Sequence, residues 1–156
     1  MNVQSKQKGF TIIEVVLVLA IAGLIFLVVF LALPALQRNQ RDTQRRSDVG
    51  RAVAAVQTWQ ANKGGLIPAA TDMTTTATFI TPYLATGGST FIDPSGGAYS
   101  FVASTAAIPS NDTTATNDTN GQLRFVRGRT CDGTAKTNAI SIIAKLEGGG
   151  FYCANN

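Results

Sequence analysis

A chain of 156 residues has room for one domain and one added element. With 45% hydrophobic and 14% charged residues, its composition excludes a disordered chain, and the absence of histidine removes the commonest general base and the commonest metal ligand. The net charge of +4 belongs to one segment: between Gln37 and Lys63, Arg38, Arg41, Arg45, Arg46, Arg51 and Lys63 outnumber Asp42 and Asp48, whereas beyond Gly64 the acids slightly outnumber the bases.

The first element follows Lys6–Leu17, KQKGFTIIEVVL, where one carboxylate, Glu14, stands at the head of a run of hydrocarbon. From Val15 to Leu36 no residue is charged. As a helix this run is roughly 33 Å long, close to the ~30 Å hydrocarbon core of a bilayer. It is too long for the apolar part of an ordinary secretory signal, and ALPALQRNQ at its far end offers no small-residue cleavage site. The run therefore reads as a membrane-spanning helix. Pro34 and Gly23 are its expected break points, the first through a missing N–H and the second through low helix propensity.

The helical pattern continues past the apolar run. Val49, Val53, Val56 and Gln60, with Ala52 and Trp59 alongside, follow the i, i+3, i+4, i+7 rule, and Gly64-Gly65 ends the helix. Arg41, Gln44, Arg45 and Ser47 are placed on the opposite, solvated face, with Asp42 and Arg46 in the favourable i, i+4 order. One helix over about Thr11–Asn62 would be roughly 80 Å long. The apolar stripe on its second half needs a surface to pack against.

Residues 64–156 supply that surface. Leu66–Pro94 reads as a long loop, punctuated by Pro68, Pro82, Pro94 and Gly87-Gly88, with one helical turn near Phe79–Leu84. Strands are expected over Ala98–Ala103, Gln122–Arg127 and Ala139–Leu146, with a short edge at Phe151–Cys153. In the second of these Leu123 and Phe125 share one face, and Arg124 and Val126 the other. The polar stretch SNDTTATNDTNGQ joins the first two strands. The expected fold class is α+β: a long N-terminal helix lying on a small antiparallel sheet.

A carboxylate inside the bilayer costs on the order of 2.5–3.5 kcal/mol at mid-depth and less near an interface. Glu14 either sits shallow and reaches water, or it meets a positive partner. Phe10–Leu36 contains none, and Lys6 and Lys8 lie beyond Gly9. A cut between Gly9 and Phe10 would create an amine one helical turn from Glu14. Pairing with the amine of a neighbouring copy would satisfy both groups and fix the stagger of two parallel helices.

KGFTIIEVVLVLAIAGLIF resembles the N-terminal signature of type IV pilins and pseudopilins: a basic leader ending in Gly, then Phe, then Glu at the fifth mature position, then about twenty apolar residues. The match falls on Lys8, Gly9, Phe10, Thr11 and Glu14. It covers Lys6–Leu36 closely and the rest only in layout. The resemblance implies a pilin-like fold divided into a cleaved leader (1–9), a membrane or filament-core half-helix (10–36), an amphipathic half-helix (37–63) and a head (64–156). It implies cleavage by a prepilin peptidase after Gly9, N-methylation of Phe10, and pairing of Glu14 with a neighbour's Phe10 amine during assembly. The implied protein is a structural subunit, not an enzyme, and takes no cofactor. It waits in the cytoplasmic membrane and is then extracted by pilus machinery into a homopolymeric surface filament for motility, adhesion or DNA uptake. A pseudopilin of a type II secretion system and a minor, DNA-binding pilin are the alternatives. Charge counting alone, Lys6 and Lys8 against Arg38, Arg41, Arg45 and Arg46, favours the reverse orientation to the one the resemblance implies.

An exported head is a place where disulfides persist, and Cys131 and Cys153 have one mutual pairing; two free thiols is the other reading. The resemblance implies a closed C-terminal loop. Arg124, Arg127 and Arg129 are either a DNA-phosphate cluster or a solvated strand face. FIDPSGGAYSF at Phe91–Phe101 resembles a pseudopilin turn, in which Asp93 and Ser95 either donate oxygens to calcium or simply build the turn, the reading favoured here. Asn111-Asp112-Thr113 and Asn117-Asp118-Thr119 match the glycosylation acceptor pattern.

Overall fold

The computed structural model describes residues 9–86, 90–104 and 121–156. Met1–Lys8 of the leader, the Gly87-Gly88 pair and the two Asn-Asp-Thr triplets lie outside the described residues. The chain divides into two compact units, Met1–Gln37 and Arg38–Asn156. Helix α1 runs from Ile12 to Asn62.

In the first unit, α1 passes through Gly23 and Pro34 without interruption. Pro34 has no N–H to donate, so one ladder bond is unmade, yet the helix does not end there. The large apolar side chains from Phe10 to Leu36 are exposed. This stretch is long and apolar enough to cross a membrane. Uncovered hydrocarbon of this length suits lipid better than water.

In the second unit, α1 turns an apolar stripe inward. Val49, Ala52, Val53, Ala55, Val56 and Trp59 are buried. The helix stops as its glycines dictate: Gly64 and Gly65 have φ of 64° and 85°, and Gly65 N donates to Gln60 O at 2.7 Å. The expected long loop is more helical than its composition suggests. A short helix α2 (Ala70–Thr74) is followed by a π-helical segment, Thr76–Leu84, that contains Pro82. Tertiary burial explains the difference, because Met73, Phe79 and Leu84 are drawn into the core. Phe79 and Tyr83 pack on Trp59 with ring centroids 6.0 and 5.3 Å away.

The sheet has four strands in the order β1-β2-β3-β4: β1 (Ser100–Ala103), β2 (Gln122–Arg129), β3 (Ala135–Lys145) and β4 (Phe151–Asn155). The α+β layout is as expected, but the sheet is mixed, not antiparallel. β2–β3 and β3–β4 are antiparallel, whereas β1 runs parallel to β2, with Phe101 opposite Leu123 and Ala103 opposite Phe125. A parallel pair needs a connection of roughly a dozen residues or more, and Ser104–Gly121 is longer than that. Phe101, Leu123, Phe125, Ile140, Ile142 and Ala144 join the helix stripe in one core. The second face of the sheet is also buried at Arg124, Val126, Ser141 and Ile143. Arg124 and Val126 do lie opposite Leu123 and Phe125, but the expected solvated face is corrected: both faces of β2 are covered. Arg127 and Arg129 are exposed, with a bulge between them.

Candidate functional site

Two constellations carry functional weight, one in each unit. The first is the opening turn of α1. Gly9 and Phe10 are exposed just before it. Thr11 occupies the N-cap position, and its N–H and hydroxyl donate to Glu14 Oε2 at 2.8 and 2.7 Å. Glu14 N in turn reaches Thr11 Oγ1 at 3.4 Å. This is a reciprocal capping box, which satisfies orphan amides that a helix start would otherwise leave in an apolar medium. The carboxylate thus has an intrachain task at the helix start through Oε2. The signal was in the sequence: Thr-x-x-Glu directly before a hydrophobic run is a helix-start signature. Among the described residues Oε1 of Glu14 takes no hydrogen bond.

The second constellation is a buried ionic latch in the head. Arg45 is 1% exposed and donates from Nε to Asp93 Oδ2 at 2.7 Å and from Nη2 to Asp93 Oδ1 at 3.0 Å. Its Nη2 also reaches Glu147 Oε1 at 2.9 Å. Arg41 grips the same Glu147 with Nε and Nη2, the shortest contact being 2.6 Å. Asp42 accepts the backbone N–H groups of Glu147 and Gly148 at 2.7 and 2.8 Å. Asp48 accepts from the buried Tyr99 hydroxyl at 3.0 Å. One turn of helix thereby holds both the turn at residues 93–97 and the turn at residues 147–150. Arg45 Nη1 has no hydrogen-bond partner among the described residues; Asp42 Oδ1 lies 3.6 Å away.

The electrostatics follow from these contacts. Burial pushes the Asp93 carboxyl up, but bonds from Arg45 and Ser95 outweigh it and hold the group at about 2. The hydrogen bond to Asp93 raises Arg45 further above its ordinary value. The Arg41 hydrogen bond lowers Glu147. Burial, then the Asp48 charge, pushes the Tyr99 phenol up.

Several expectations change here. Arg41 and Arg45 were placed on a solvated face; Arg45 is buried, and both pair with carboxylates of their own head. Asp42 does not pair with Arg46: it takes backbone amides, while Arg46 lies 5.6 Å from the centroid of the Tyr152 ring. Asp93 builds the turn, as favoured, since Arg45 occupies both of its oxygens and Ser95 N donates to Oδ1 at 2.9 Å. Burial of Arg124 breaks up the three-arginine cluster. No local pattern announced the latch, because its partners are 48 and 102 residues apart. Cys131 and Cys153 form a disulfide with Cα atoms 5.9 Å apart, tying the β2–β3 turn to β4.

Among the described residues, a helix long and apolar enough to cross a membrane is followed by an α+β head. More specifically, residues 4–30 match the prokaryotic N-terminal methylation motif, so the chain carries the signature of type IV pilins and pseudopilins. Comparison with curated proteins and with solved structures gives no match. The motif implies processing by a prepilin peptidase and entry into a pilus or secretion assembly, and the apolar helix fits a membrane-anchored precursor.

Proposed function

We propose that the chain is the structural subunit of a type IV pilus filament. The carrying observation is the coincidence of the methylation motif at residues 4–30 with an exposed apolar helix whose first turn contains Glu14. In this reading the peptidase cuts after Gly9 and the new Phe10 amine is methylated. Glu14 keeps its Thr11 bonds through Oε2 and presents Oε1 to the amine of a neighbouring copy. Residues 10–36 exchange lipid contacts for helix–helix contacts, so apolar area is never left in water. Gly23 and Pro34 are the points where the helix loosens in the fibre. The assembled filament lies outside the cell, which suits a disulfide-closed head.

The deciding measurement is the mass of the N-terminal peptide of protein sheared from intact cells. The expected peptide begins with N-methylated Phe10. Protein that stays in the membrane fraction with residues 1–9 attached would end the reading. Mature protein that cannot be sheared off would transfer it to a secretion-system pseudopilin.

A further inference from the structure

Beside the latch, and sharing Arg41 and Glu147 with it, lies a shallow, open depression. A 580 Å³ pocket is lined by Arg38, Arg41, Ser95, Lys145, Leu146 and Glu147. Three of these side chains are cationic and one is anionic. The lone carboxylate is already shared: Glu147 accepts from Arg41 at 2.6 Å and from Arg45 at 2.9 Å. With the groups behind it included, Arg38, Arg41, Arg45 and Lys145 stand against Asp42, Asp93 and Glu147, which leaves the opening a small positive excess. Arg38 enters no ion pair or hydrogen bond among the described residues, and Nη1 of Arg41 takes none there either. The bond to Glu147 holds Arg41 in place, so one guanidinium is pre-organised and Arg38 is left to close on an anion with several oxygens.

We propose that this pocket binds the phosphate of an anionic phospholipid headgroup while the chain is held in the membrane. Chain connectivity favours a lipid over a free anion. Arg38 stands two residues after Leu36, the end of the exposed apolar run, and a helix advances only about 1.5 Å per residue. A headgroup phosphate is therefore the anion present at the highest local concentration, and Leu146 adds an apolar wall. The inference rests on the membrane-anchored reading, not on filament formation.

The test uses the full chain in neutral detergent, with equimolar phosphatidylglycerol and phosphatidylcholine, and native mass spectrometry to count retained lipids. Preferential retention of one phosphatidylglycerol is expected. Arg38→Gln with Lys145→Gln should cut that preference roughly five-fold per charge removed. Lys136→Gln, at an exposed lysine elsewhere on β3, should leave it intact. Arg38→Gln alone serves if the double variant does not fold. Equal retention of the two lipids, or a preference that survives the substitutions, overturns the site. Inorganic phosphate that shifts the Leu146 and Glu147 amide resonances as tightly as the lipid does would overturn the lipid as its source. An uncut N-terminus would sink the pilus reading and leave this measurement untouched.

Discussion

Helix α1 is one continuous element with two different reasons to exist. Up to Leu36 its large side chains are apolar and exposed, so nothing within the protein covers them, and the stretch is long and apolar enough to cross a membrane. From Asp42 to Trp59 it is held by its own head along one buried face, through the Arg45–Asp93–Glu147 latch at its start and the apolar stripe that follows. The contrast extends to the carboxylates. Glu14 Oε2 is bonded within three residues of chain, whereas Asp93 and Glu147 meet their partners only by folding. Lipid supports a helix by composition alone; a head supports it by shape and by paired charge. A buried ion pair is weak evidence for net stability, yet removing one partner leaves an uncompensated buried charge. The latch therefore fixes where helix and turns meet more than it deepens the fold.

Breaking the head half should have the largest effect. Arg45→Met strands Asp93 and removes one of the two arginines on Glu147, and should destabilise the head by about 3–5 kcal/mol. Thermal unfolding followed by Trp59 fluorescence measures this. The helicity of residues 12–36 in detergent should not change, and a loss there would dissolve the distinction between the halves. Acid is a milder probe. Folding holds the Asp93 carboxyl at about 2 against an ordinary 3.8, so the unfolded chain takes up the proton first as the pH falls. The stability this contributes is full above about pH 4 and is lost as the pH drops through about 2, for a total of about 2 kcal/mol. A denaturant titration at stepped pH would show it; a head equally stable at both ends of that window would not contain this pair. The smallest effect belongs to the anchor. Thr11→Val removes a cap typically worth about 1 kcal/mol and should speed amide exchange in the first helical turn roughly five-fold, with head melting unchanged.

The elements that could be read in advance share one property: their cause is local. The apolar run, the stripe at Val49–Trp59, the stop at Gly64-Gly65 and the four strands each follow from a periodicity or a glycine within a few residues. The Thr11–Glu14 capping box was equally local, and was obscured only by reading Glu14 as a charge in lipid instead of as a helix cap. The parallel β1–β2 pair was not local. A polar connection states its length but not the direction in which the chain returns.

Sequence alone was enough to show a helix long and apolar enough to cross a membrane, where that helix starts, and a methylation motif at residues 4–30 that overlaps its first turns. Those properties depend on composition and spacing along one stretch of chain. Only the tertiary structure decided that Arg45 is buried, that Asp93 and Glu147 meet on it, and that Arg38, Arg41 and Lys145 line one pocket. Charge pairing acts through space over a few ångströms. The residues it joins here are separated by up to 106 positions, a distance that only the folded chain closes.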